Sequence, residues 1–166
     1  FAYGLLSVVL VLYLKKLDFE DWQVGALLTL TLVGDTVISL GLTTTADRIG
    51  RRKMLLAGAA LMVFAGVLFA VTSSFWWLLL AATVGVISPS GGEAGPFLAI
   101  EQASLSQALP RERRTDVFAW YNLAGSVTLA LGALAGGVAA QWAAEAGFSG
   151  ANAYRPVVIA YGLLGI

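Results

Sequence analysis

Two long apolar segments flank the densest cluster of charge in the chain, and this arrangement constrains everything else. From Val24 to Ala46 a single formal charge occurs, at Asp35, and from Met54 to Val71 there is none. At about 1.5 Å per residue the first run is long enough to cross the hydrocarbon core of a bilayer. A helix closes its own backbone hydrogen bonds, so runs of this kind cross lipid as helices. Between the two runs lies Asp47-Arg48-Ile49-Gly50-Arg51-Arg52-Lys53. Lys and Arg resist translocation, so a basic connection between spanning helices is expected on the cytoplasmic side. That assignment sets the direction of every other helix.

Composition agrees. Of 166 residues, 58% are hydrophobic and 12% charged, about half the charge of a soluble domain. The apolar residues come in long runs, not in the period-two alternation of a membrane β-barrel, so the expected class is an all-α polytopic membrane protein. The net charge is zero, so no nucleic-acid partner is expected. The chain has no Cys and no His, which removes thiol chemistry and the commonest transition-metal ligands. No phosphate-binding loop and no pairing of nucleophile with base is visible, so neither an enzyme nor a cofactor is expected.

The spacing predicts helices over about 1–14, 22–46, 54–71, 75–98 with a cytoplasmic extension to 109, 117–142 and 154–166. The first and last are too short to span and are expected to continue in a longer parent. Trp22 and Phe75-Trp76-Trp77 sit where interfacial anchors belong. The inner connections, Asp47–Lys53 and Pro110–Asp116, hold seven Lys or Arg and the outer ones three. The fourth helix is awkward, because its apolar run ends near Ile87 while the next basic connection requires one more crossing. It is expected to continue through Pro89, Gly91 and Gly92, with a kink tolerated where protein or water satisfies the freed backbone groups. No internal repeat is visible.

Thr43-Thr44-Thr45-Ala46-Asp47-Arg48-Ile49-Gly50-Arg51-Arg52 resembles the signature between the second and third helices of major facilitator superfamily transporters, G-x-x-x-D-R-x-G-R-R/K. The Asp-Arg-x-Gly-Arg-Arg part matches fully, and Thr43 stands in place of the leading glycine. The resemblance implies the N-terminal six-helix half of a twelve-helix transporter, in which two halves rock around a central site. It implies a gating role for Thr43, Asp47, Arg48, Gly50, Arg51 and Arg52, with Asp47 contacting a helix N-terminus of the second half. It also implies that helix 2 works at the moving interface and that helix 4 lines the cavity. Many relatives carry an Arg in helix 4, four residues before a glycine; against Gly85 that position is Ala81, so a proton relay using that Arg does not carry over.

Ionisable groups inside a spanning helix are functional candidates by default. Asp35 lies about 20 Å in from Trp22, and Thr31, Asp35 and Ser39 recur every four residues on one helix face. Either Asp35 binds and releases protons, or it is a structural carboxylate bonded to neighbouring hydroxyls. Glu93 follows the Pro-Gly-Gly break, a flexible backbone beside an acid that discontinuous transporter helices use at binding sites. Trp120, Tyr121 and Asn122 are candidates for cavity lining or for the interfacial belt. Glu101 and Gln102 read as groups near the cytoplasmic surface, solvated or in an inter-loop salt bridge. Gly132 to Gly137 is a small-residue segment suited to close helix packing.

The expected function is secondary active transport of a small organic solute, coupled to protons, in a plasma (inner) membrane. The partners implied are the lipid bilayer, the small-molecule substrate and a missing C-terminal six-helix half. The alternative is a membrane-anchor or sensor domain of a larger protein. Six further apolar segments after residue 166 would favour the transporter, and a soluble domain the anchor.

Overall fold

The computed structural model describes residues 1–85, 87 and 95–165, with side chains other than those at positions 47, 95 and 96. Among the described residues seven α-helices follow in order: α1 (Ala2–Lys16), α2 (Asp21–Ile49), α3 (Arg51–Val71), α4 (Phe75–Val84), α5 (Gly95–Ala108), α6 (Arg114–Glu145) and α7 (Arg155–Leu163). Short 3-10 turns occupy Arg111–Arg113 and Gly150–Ala153, and no strand occurs among the described residues. The Asp21–Ala46 part of α2, all of α3 and the stretch Arg111–Glu145 are long and apolar enough to cross a membrane; α4 is apolar but shorter. The expected kink at Pro89, Gly91 and Gly92, and Glu93 with it, falls outside the described residues.

The helix ends have local causes. At the start of α2, the Glu20 side chain accepts from the backbone of the first turn while the Gln23 side chain accepts from the Glu20 N–H at 2.9 Å. This reciprocal box satisfies donors that a helix start otherwise leaves open. The basic connection proves far tighter than a seven-residue loop. α2 runs on to Ile49, α3 starts at Arg51, and Gly50 alone turns the chain with φ +108°. Side-chain-bearing residues are strained at that angle, so the glycine of the Asp-Arg-x-Gly-Arg-Arg stretch is there for its backbone. The hydroxyls of Thr31, Thr36, Thr43, Thr44 and Thr45 all donate to the carbonyl four residues back, an internal partner that a polar side chain needs in lipid.

The most extensive helix pairings are α1 with α6, α2 with α4, and α3 with α7. Each is set by glycine. A Cβ on Gly4 would run into the Leu129 carbonyl of α6, and on Gly132 or Gly136 into the Phe1 or Leu5 carbonyl. Gly34 meets the Thr83 carbonyl across α2 and α4, and Gly66 meets Gly162 across α3 and α7. Lipid tails are as apolar as Leu, so close backbone approach of this kind does much of the work of association in a membrane.

The core runs through the middle of the bundle, from Leu6, Val9, Leu10 and Tyr13 of α1 to Leu27, Phe69, Leu78, Val157 and Tyr161. The Tyr13 hydroxyl donates to the Phe69 carbonyl at 2.7 Å. Trp22, Trp76, Trp77 and Trp142 are all exposed and lie near one end of the bundle, opposite the basic turn. Phe19, Trp22 and Trp76 pack edge-on or tilted around Phe75 there. Such a girdle suits the membrane–water interface, where an amphipathic ring meets both phases.

Candidate functional site

A cavity of about 630 Å³ opens along the side of the bundle between α1, α5 and α6. Tyr3 comes from α1, Phe97, Leu98 and Glu101 from α5, and Tyr121, Asn122, Ser126 and Thr128 from α6. Ala124 and Gly125 complete part of the α6 wall, and their small side chains leave the space open. Mixed aromatic, apolar and sparse polar lining at this volume is usual for a small-molecule site. Among the described residues no group of three or more acidic side chains converges to hold a metal ion.

One polar contact spans the cavity wall. The Tyr121 hydroxyl of α6 donates to Oε2 of Glu101 on α5 at 2.5 Å. Glu101 is exposed, as expected of a solvated group, and its partner is a side chain of α6 and not the other side of an inter-loop salt bridge. The stretch read as an extension reaching the cytoplasm forms α5, which packs on α2 and α3. This brings Glu101 beside a residue twenty positions away, a contact with no local sequence signal. Gln102, one residue further on, is half-buried.

Asp35 sits deeper. It is 5% exposed, and with Thr31 it makes up the buried polar set of the described residues. The Ser39 hydroxyl donates to Asp35 Oδ1 at 3.4 Å, so two members of the i, i+4 row touch, while Thr31 turns its hydroxyl back to the Leu27 carbonyl at 2.6 Å. Asp35 is within electrostatic reach of Tyr3 and Tyr161, whose rings lie 6.2 Å apart. Thr31, Asp35 and Ser39 do not line the cavity; Thr31 and Asp35 are buried in the bundle and Ser39 is half-buried. Tyr3 stands between, because its ring lines the cavity while its buried hydroxyl has no hydrogen-bond partner among the described residues.

Of the three consecutive residues at the start of α6, Tyr121 and Asn122 line the cavity. Trp120 does not: it is 71% exposed and points away from the lining, because successive helical residues turn by about 100°. At the basic turn, Arg51 donates from Nη1 to the Ser104 hydroxyl of α5 at 3.1 Å. This ties the start of α3 to the helix that carries Glu101. Arg48 and Arg52 are exposed, and Thr43 donates to the Ser39 carbonyl at 2.5 Å. The side chain of Asp47 lies outside the described ones. Tyr3, Ser126 and Thr128 carry no motif, and only their place on facing helices reveals them as cavity residues.

The comparisons with known proteins agree with this architecture. Residues 1–166 match the Major Facilitator Superfamily. An uncharacterised membrane protein of Saccharomyces cerevisiae is 39% identical over 137 residues, covering 82% of this chain and 31% of the relative. A Na(+), Li(+), K(+)/H(+) antiporter of Planococcus maritimus is 27% identical over 73% of the chain and 28% of its own length. A D-xylose transporter of Levilactobacillus brevis is 26% identical over 72% of the chain and 25% of its own length. The match thus spans between a quarter and a third of each of these relatives. No solved structure matches the chain significantly. With its all-helical bundle and a family match along its whole length, the chain is an integral membrane protein and belongs to the Major Facilitator Superfamily.

Proposed function

We propose that the chain is the N-terminal half of a secondary transporter that moves a small organic solute, coupled to protons, by rocking against a second six-helix half. The observation that carries this reading is the cavity between α1, α5 and α6, with its aromatic, apolar and sparse polar lining. The relatives add weight, since one is named as an ion/proton antiporter and another as a sugar transporter. Tyr121 and Asn122 would contact the solute. Asp35 and Glu93 are the proton-coupling candidates, with the Tyr3 hydroxyl as a relay from the cavity to Asp35. Thr43, Asp47, Arg48, Gly50, Arg51 and Arg52 would form the gate at the cytoplasmic end of a plasma-membrane protein. There the Arg51–Ser104 contact would couple the gate to the cavity wall.

The test uses the full-length protein in proteoliposomes with an imposed pH gradient and a solute panel. One solute class is expected to accumulate or be expelled, and a protonophore should abolish that. Asp35→Asn should lower driven transport by about tenfold or more while sparing exchange of solute. Movement unaffected by collapse of the gradient removes the coupling. Movement of no solute removes the transporter.

A further inference from the structure

We propose that Arg155 and Tyr13 form a strap across the outer end of the bundle, which ties α1, α3 and α7 into one rigid unit. The inference goes beyond the transport reading and does not rest on the cavity. Of the charged residues at that end, Lys15, Lys16, Asp18, Glu20, Asp21 and Glu145 are exposed, whereas Arg155 is half-buried. Arg155 is the first residue of α7, where a cation meets the positive end of its own helix dipole. Its side chain leaves that position and reaches toward α3. Nη2 donates to the Ser73 hydroxyl, just past the end of α3, at 3.2 Å. The guanidinium also lies beside the Tyr13 hydroxyl of α1, and no carboxylate pairs with it among the described residues.

These contacts converge on the carbonyl end of α3. The last carbonyls of a helix have no partner within it, and the negative end of the dipole lies there. α3 has no basic residue in its own last turn. Tyr13 is fully buried and donates to the Phe69 carbonyl at 2.7 Å, while Arg155 brings the positive charge from α7. Two neighbouring helices thus cap a third. Deeper in the bundle, α3 and α7 meet backbone to backbone at Gly66 and Gly162. Helices that cross at a glycine contact can scissor about it. Arg155 lies about 10 Å along α7 from Gly162, far enough to give its bond the leverage to stop that motion. The Arg155 Nε is buried without a hydrogen-bond partner among the described residues. A Tyr hydroxyl has two acceptor sites, so a small turn of the guanidinium toward Tyr13 would tighten the strap. In a protein that rocks, the outer ends of α1, α3 and α7 then move together and no opening forms between them.

Hydrogen exchange on the full-length protein tests the strap. Arg155→Met keeps most of the side chain's length and removes its charge and donors. It should speed amide exchange over residues 68–74 about tenfold or more and leave residues 48–56, at the opposite end, unchanged. Tyr13→Phe should act at the same place. The double variant should exchange little faster than Arg155→Met alone, since both groups belong to one network. Arg155→Lys and Ser73→Ala disturb the outer end less and should give smaller increases there, which keeps the test open should Arg155→Met fail to fold. Spin labels at Val71 and Asn152 should report one narrow distance in the wild type and a broader one in Arg155→Met. Unchanged exchange over residues 68–74 overturns the strap. So does acceleration spread equally over both ends, or effects that multiply independently in the double variant. Two separate distances in the wild type overturn the single rigid unit.

Discussion

Two stretches of one α6 face are built on opposite rules. Toward α1, Gly132, Gly136 and Ala140 recur every four residues and are buried, so the backbones meet. Nearer the start of the helix the same face lines the cavity through Tyr121, Gly125 and Thr128, which the helical repeat aligns with Gly132. A Cβ added to Gly125 would meet nothing within 4 Å, and the same holds for Gly137, which the repeat turns away from Gly136 by about 100°. The first stretch tolerates no added volume and carries no chemistry. The second tolerates volume and carries polar groups. One helix can therefore act as a structural strut and as a binding wall, provided the two sets of residues keep to different stretches of the helix.

The largest effect separates two neighbouring glycines. Gly136→Leu should remove most of the folded protein, because the side chain would occupy the place of the Leu5 carbonyl and a backbone cannot yield as a side chain can. Gly137→Leu should leave stability within about 0.5 kcal/mol. Thermal unfolding followed by size-exclusion fluorescence reads both. Equal losses in the two variants would break the contrast between packed and open positions.

A smaller change sharpens it from the other side of the seam. Gly4→Ala places one methyl group against the Leu129 carbonyl, and the helices must part by about 1 Å, at a cost of about 1–3 kcal/mol. A lowered unfolding midpoint with transport retained marks Gly4 as part of the strut. An unchanged midpoint would mean that the seam is looser than the geometry indicates.

The smallest stability effect is expected at the cavity. Asn122→Ala should shift the unfolding midpoint by no more than about 0.5 kcal/mol while weakening the full-length protein's apparent affinity for its solute. Loss of stability without change in solute affinity would move Asn122 from the binding wall to the strut.

Much of this was legible along the chain. Asp35 stands alone in a long apolar run, and its row with Thr31 and Ser39 follows from the helical repeat. The structure places Asp35 and Thr31 in the interior and joins Ser39 to the carboxylate. The small residues from Gly132 onward announced a close helix contact, and Gly132 and Gly136 make it while Gly137 does not. Other features were misread. The basic connection is one residue long, since a helix that already satisfies its own backbone can run out past the apolar segment. Glu101 is the exposed charge it was taken for, and only its contact with Tyr121 went unread, because α6 begins more than ten residues later in the chain.

The sequence by itself determined the class of protein, the direction of its charge bias and the family. These depend on hydropathy, charge and a short motif, and each is a property of neighbouring residues: a backbone in lipid must satisfy its hydrogen bonds within its own segment, whatever lies beside it. Only the tertiary structure decided which polar groups meet. The Tyr121–Glu101 bond, the Arg51–Ser104 contact and the position of Tyr3 between cavity and Asp35 all join residues on different helices. Their encounter is set by where glycine lets two backbones touch, and that is a relation between helices which no single segment contains.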